Sequence, residues 1–223
     1  MNRVPFLNNT LGTVLPSNEF NISDVQLDKK TVGEEDIGFV TVEGPYGNPN
    51  STVKIAYLLG QHPRESNAHD AIYEGLLKSS DDLNYSYYVY WINVTGESSD
   101  FEQSRMNGQI LAQDIAVPAM IEEGFNLVID VHASNGAYVQ DPYIFAPVEN
   151  DTVANLSANN IINSVNYIIY YEPASYSSPQ YSTIPLEDGG MPSIVFEMRG
   201  IPGQTLEQEA TDFVHAVDNL LFD

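Results

Sequence analysis

Cysteine is absent from the chain. Disulfides, thiolate metal ligands and a cysteine nucleophile are thereby excluded. Basic residues are scarce: 8 Lys plus Arg stand against 31 Asp plus Glu, a formal net charge of −23. A surface this acidic repels nucleic acid and anionic membrane, so neither is an expected partner. It suits a neutral or cationic substrate better than an anionic one. No apolar run approaches the roughly 18–20 residues that cross a bilayer, so no membrane span is expected. The opening Met1-Asn2-Arg3-Val4-Pro5-Phe6-Leu7 has no long apolar stretch, and no signal peptide is expected in it. Seven Asn-x-Ser/Thr sequons begin at Asn8, Asn21, Asn50, Asn84, Asn93, Asn150 and Asn155. They tilt the expected location slightly towards the exterior or the cell surface, although an Asn- and Ser-rich chain also yields sequons by chance. Oligomeric state is not written in the sequence.

What is present is enough apolar material for one core. The 223 residues are 43% hydrophobic, and the whole chain, 1–223, reads as one domain. Residues 1–36 read as an irregular N-terminal segment with a short apolar stretch at 11–15. Residues 39–42 and 53–59 read as strands joined across the turn-rich Gly44-Pro45-Tyr46-Gly47-Asn48-Pro49-Asn50, an antiparallel hairpin. Helix then alternates with strand: helix over 67–78, strand over 85–94, helix over 107–123, strand over 127–131. Pro118 should kink or break the third of these, and Gly124 should cap it. A short strand over 143–146, a helix over 151–163 and strands over 165–171 and 193–196 follow. Thr205 and Gln208 fit a capping box. Leu206, Ala210, Phe213, Val214, Val217, Leu220 and Leu221 then form one apolar stripe of a final helix. The alternation predicts an α/β fold: a mixed sheet with helices on both faces.

Ligands in such sheets bind beyond the carboxyl ends of the strands, and three segments with chemical potential fall there. His62-Pro63-Arg64-Glu65 follows the strand over 53–59, with imidazole and carboxylate three positions apart. His132 closes the apolar run 127–131 and faces the small, polar residues Ser134, Asn135 and Gly136. Asp130, two residues earlier, shares its strand face and is placed to back the imidazole. Glu197 ends the apolar run 194–196. Each has a plainer explanation: a loop His with a helix-start Glu, a satisfied buried His, and a Glu paired with Arg199. Together they offer two imidazoles and a carboxylate as metal ligands, with a fourth position open for water and a second carboxylate in reserve. His69, four residues after Glu65, reads as a helix-surface His or an outer partner of the site. His215 reads as structural.

These residues resemble the metal site of the zinc carboxypeptidase family and its deacylase relatives, aspartoacylase and succinylglutamate desuccinylase. That family uses His-x-x-Glu and a distant strand-end His, here His62, Glu65 and His132. Its general base lies in Phe-Glu-Leu-Arg, here Phe196-Glu197-Met198-Arg199. The match covers about residues 53–222. It implies one Zn2+ per chain, metal-activated water, and Glu197 as general base on an amide bond of a peptide or of a peptide-like substrate such as a cell-wall linkage. Two alternatives share the fold: an N-acyl amino acid deacylase and a non-catalytic binding module. The resemblance also has gaps. The adjacent Asn-Arg pair that docks a substrate carboxylate is replaced by Gln103-Ser104-Arg105-Met106-Asn107. The spacing from His62 to His132 is short for the family. Arg105 is expected to assist catalysis. Arg64, Asn107, Tyr176 and Arg199 are expected to contact substrate.

Overall fold

Every backbone N–H and C=O in a strand needs a partner, and a strand apolar on both faces needs cover on both. The computed structural model describes residues 29–134, 142–148, 151–199 and 204–222. In chain order these hold β1 (Lys30–Glu35), β2 (Gly38–Gly47), β3 (Lys54–Leu59), α1 (Ser66–Ser79), β4 (Ser86–Val94) and α2 (Phe101–Leu111). Then come a π-helical turn (Ala112–Ala116), α3 (Val117–Glu123), β5 (Leu127–Ala133) and β6 (Tyr143–Phe145). The chain ends with α4 (Thr152–Ser164), β7 (Ile169–Tyr170), α5 (Thr183–Asp188), β8 (Ser193–Met198) and α6 (Gln204–Asp218).

The strands form one mixed sheet in the order β1-β2-β4-β3-β5-β8-β6-β7. Its centre, β4-β3-β5-β8, is parallel; β1, β2 and β6 run antiparallel to their inner neighbours. Helices cover both faces, as the alternation predicts. On one face, α1, α4 and α6 bury Ile72, Leu76, Ile161, Phe213 and Val217 against Tyr57, Ile129 and Phe196. On the other, α2, α3 and α5 bury Leu111, Met120 and Leu186 against Leu58, Tyr90 and Val128. Each such fully buried side chain contributes about 1.5–3 kcal/mol.

Four expectations are corrected. The hairpin does not form, because β4 lies between β2 and β3. It directs Tyr87 and Val89 into one core and Tyr90 and Ile92 into the other, and so takes an interior position. Residues 30–35, expected to be irregular, make an edge strand. The helix expected over 107–123 starts earlier, at Phe101, where the Asp100 side chain accepts from the Gln103 N–H at 2.8 Å. It runs through a wide π turn into α3, and Pro118, which cannot donate to an ordinary α-turn, follows that widening. The strand expected over 165–171 shrinks to β7, since Val165 and Ile168 close the end of α4 by turns onto Ile161 and Val165 carbonyls. Gly124 does cap α3, at φ 74°. The α6 stripe is buried as expected through Leu220, but Leu221 lies past the helix end and is 88% exposed. Thr205, expected as an N-cap, falls inside α6, which begins at Gln204; the apolar stretch at 11–15 lies outside the described residues. Among the described residues, no helix is long and apolar enough to cross a membrane.

Candidate metal centre

The sheet order has a switch point. From β3 the chain moves outward to β4 over one face through α1, then returns through α2 and α3 on the other face to β5. Connections leaving neighbouring strands toward opposite faces open a crevice at the strands' carboxyl ends. His62 lies just past β3, His132 is near the end of β5, and Glu197 is near the end of β8. They border this crevice.

Gly60 lets the chain leave β3. Its φ is +85°, and a Cβ there would lie 2.3 Å from the Ile92 carbonyl oxygen. Pro63 then starts a 3-10 turn with His62 at its N-cap, closed by the Glu65 N–H on the His62 carbonyl at 3.0 Å. Residues three apart eclipse in such a turn, so His62 and Glu65 point the same way. His62 Nδ1 is 2.9 Å from Glu65 Oε1. His132 Nδ1 reaches both, 2.9 Å from His62 Nδ1 and 3.0 Å from Glu65 Oε2. The Ala133 N–H donates to Glu65 Oε2 at 3.0 Å. All three side chains are buried.

Behind this centre stands an outer layer. Asp130, fully buried, sets Oδ1 3.0 Å from His132 Nε2, an ion-pair distance with the two groups out of line for a hydrogen bond. Ser182 Oγ donates to Asp130 Oδ2 at 2.6 Å. On the loop side, Gln109 of α2 brings its amide nitrogen 3.2 Å from His62 Nε2. Arg105, one helical turn earlier, donates from Nη1 to Glu65 Oε1 at 3.2 Å and is one-third exposed. The place of Asp130 follows from its strand face. Gln109, Ser182 and Ser177, whose Oγ meets the Gln109 amide nitrogen at 3.1 Å, escaped sequence reasoning; the i,i+4 spacing from Arg105 was the available pointer to Gln109.

Glu197 is the direct register partner of His132 across β5 and β8, and of Tyr143 across β8 and β6. Its neighbour on the same strand face, Val195, packs with Tyr143, Phe145, Tyr171 and Tyr176. Burial raises its carboxyl to about 7; His132 and Arg105 pull it down, Glu65 and Asp130 push it up. For His62, burial is the main cause of a fall to about 4, with His132 adding to it. Burial acts the same way on His132, but the Asp130 and Glu65 carboxylates outweigh it and hold that imidazole well above its ordinary value. Burial would raise Glu65, yet its bonds to both imidazoles keep it ionised, well below the usual range.

The other expected residues are engaged within the protein. Arg64 donates to the Ser99 carbonyl at 3.0 Å and lies over the Phe101 ring at 5.2 Å. Asn107 accepts from Gln103 and donates to the Gly96 carbonyl, tying α2 to the loop after β4. Arg199 faces α6, with Nε 3.4 Å from Glu209 Oε1. Tyr176 donates to Glu172 at 3.1 Å, its ring 5.5 Å from that of Phe145. His69 is buried rather than on a helix surface: its Nε2 meets the Val131 carbonyl at 3.1 Å, and burial lowers it to about 4. His215 reaches Ser79 Oγ at 3.3 Å, a packing role as expected. The loop residues Asn135 and Gly136 lie outside the described residues.

No protein-family model matches the sequence, and no curated protein matches it at a significant level. Solved structures do. A metallo-carboxypeptidase from Burkholderia cenocepacia superposes with a TM-score of 0.54 at 12% identity, over 88% of this chain and 66% of that one. A presumptive carboxypeptidase from Burkholderia mallei gives 0.53 at 14%, over 88% and 64%. A presumptive metallopeptidase from Shewanella baltica gives 0.54 at 12%, over 88% and 87%. The fold is that of the metallocarboxypeptidases. The chain spans about two thirds of the two Burkholderia proteins and most of the Shewanella one.

On that carboxypeptidase-like frame, the donor set fits a metal ion. One nitrogen or oxygen from each of His62, Glu65 and His132 lies within 4.8 Å of the other two. Two imidazoles present the same ring nitrogen, Nδ1, to a shared carboxylate, and each turns its Nε2 outward to a second residue. This is the arrangement of ligands held by an outer layer.

Proposed function

We propose that this chain is a zinc-dependent hydrolase of amide bonds acting on a peptide or peptide-like substrate. The observation that supports the reading is the convergence of His62, Glu65 and His132, with Glu197 in register beside His132 on the next strand. Two nitrogens and an oxygen at a three-ligand site suit catalytic zinc. A zinc ion held there would lower the pKa of a water to about 7 and polarise a carbonyl.

The chain's own groups would do the rest. Glu197, partly exposed and with a carboxyl near 7, takes the proton of the attacking water and returns it to the leaving amine. Asp130 holds His132 in place from behind. Arg105 lies at the rim beside Glu65, where its guanidinium can meet a developing oxyanion or a substrate carboxylate. Tyr176, part-exposed beside the aromatic cluster, is the fittest of the other substrate contacts. A substrate role for Arg64, Asn107 or Arg199 requires each to give up the contact described above. The acidic surface favours neutral or cationic substrates.

Elemental analysis of wild type and His132→Ala tests the reading. About one zinc per chain in wild type, lost in the variant, is the expected result. No bound metal after incubation with zinc would overturn it and leave a binding module on this fold. Parallel assays on peptides and on N-acyl amino acids then separate peptidase from deacylase, since both use the same residues.

A further inference from the structure

An imidazole binds a cation only through a ring nitrogen that carries no proton. An acceptor at the outer nitrogen keeps the proton there and frees the inner one. Behind His132 stands a carboxylate: Asp130 Oδ1 lies at ion-pair distance, 3.0 Å, from its Nε2. His62 has a different neighbour. Its Nε2 faces the side-chain nitrogen of Gln109 at 3.2 Å, and an amide nitrogen can only donate. In this orientation His62 Nε2 is the acceptor, and the ring proton belongs on Nδ1. That is the atom directed at Glu65 Oε1 and His132 Nδ1.

The same amide leaves its other end unused. Gln109 is 1% exposed, and its Oε1 has no hydrogen bond among the described residues. Its nitrogen also faces Ser177 Oγ at 3.1 Å, and a hydroxyl donates as readily as it accepts. A half-turn of the amide exchanges its ends within one outline. Oε1 would then accept from His62 Nε2–H and from Ser177 Oγ–H, and Nδ1 would lose its proton.

We propose that Gln109 is a positioning residue that selects the His62 tautomer: with its Oε1 turned to His62 Nε2 it keeps the ring proton there and leaves Nδ1 free for a metal ion. The inference rests on the metal-hydrolase reading above. The fold holds Gln109 firmly in this place. It lies one turn after Arg105 on α2, and the preceding Gly108 seats the helix against the metal loop: a Cβ there would lie 1.9 Å from the Gln61 carbonyl oxygen.

The test is zinc affinity, by competition with a chromophoric chelator, for wild type, Gln109→Met and Gln109→Glu. Methionine keeps the length and removes the acceptor; glutamate keeps the acceptor without the amide nitrogen. The Met variant should bind zinc about 10–100-fold more weakly, and the Glu variant should hold it at least as tightly as wild type. Nitrogen-15 spectra of the His62 ring without metal provide a readout that packing alone would not move: the proton on Nε2 in wild type, and shifted toward Nδ1 in Gln109→Met. Equal affinity of wild type and Gln109→Met, or the same His62 tautomer in both, overturns the proposal alone. A wild type that binds no zinc overturns it together with the reading beneath it. If Gln109→Met does not fold, Gln109→Glu decides: wild-type affinity with the Nε2 proton present supports the proposal, and tenfold weaker binding overturns it.

Discussion

The two imidazoles at the centre of the site lie 2.9 Å apart and are held in opposite ways. His132 belongs to an interior strand, hydrogen-bonded on both sides by β3 and β8, and is backed by the buried carboxylate of Asp130. His62 belongs to a short turn between strand and helix and is backed by a neutral amide. Burial acts on both, yet His132 is held well above its ordinary pKa and His62 falls to about 4. The strand half of the site is therefore a charged, rigid platform. The loop half is a neutral arm whose geometry depends on how α2 sits against it.

Removing one imidazole at a time should expose this asymmetry most strongly. His132→Ala and His62→Ala should both abolish metal binding. Their effects on the metal-free fold should differ. His132→Ala leaves Asp130, fully buried, without its counter-charge, and should cost about 3–5 kcal/mol. His62→Ala leaves a neutral amide and a Glu65 that keeps its bonds to His132, Ala133 and Arg105, and should cost about 1–3 kcal/mol. Denaturant unfolding of both variants without metal checks this, and equal losses would show that the platform and arm are not distinct.

Glu197→Gln sharpens the comparison from the platform side. General-base catalysis contributes about 10²–10⁴-fold, so the variant should lose that much kcat while keeping zinc at the wild-type level. An unchanged rate on a substrate that wild type cleaves would remove Glu197 from the mechanism. Gly108→Ala acts on the arm alone. The added methyl meets the Gln61 oxygen at 1.9 Å, so either α2 or the loop must move. Overpacking of this kind costs about 1–3 kcal/mol, and zinc affinity should fall with it. A crystal structure of the variant should show β5 and β8 in place and His62 displaced.

The platform was more legible in the sequence than the arm. A fully buried strand writes itself as a continuous apolar run, so 127–131 and 193–196 stand out, and a His or Glu ending such a run has few packing reasons to be there. Strand periodicity then placed Asp130 behind His132. The arm has no such mark. Gln109 and Ser177 are ordinary polar residues, and their roles arise only when α2 lands on the loop. The polar first turns of that helix, Glu102 to Asn107, concealed its start, so its register over the site was not available. The mistaken hairpin has a related cause. Adjacent strands in the chain are usually neighbours in space, and nothing local in residues 39–59 announces that β4 will come between them.

The smallest expected effect is on stability against pH, and it isolates the Glu197 carboxyl. In the unfolded chain this group ionises near 4.5; in the fold, burial raises it to about 7. Between those values the unfolded chain releases a proton that the fold retains, so the stability present at low pH is lost as pH rises, and the loss is complete above about 7. The full shift corresponds to about 3 kcal/mol, and partial exposure of the side chain reduces this to about 1–2 kcal/mol. Glu197→Gln has no carboxyl to ionise. Without metal it should be more stable than wild type by that amount at pH 8, and the advantage should fade as pH drops below about 5. A bound divalent cation lowers the pKa of a carboxyl beside it, so zinc should shrink the advantage at pH 8. Thermal unfolding of the two proteins at pH 5 and pH 8, each with and without zinc, measures both differences. An advantage that does not depend on pH would mean that Glu197 is ionised in the fold like an ordinary surface carboxylate, and would take from it the poise that a general base at neutral pH requires.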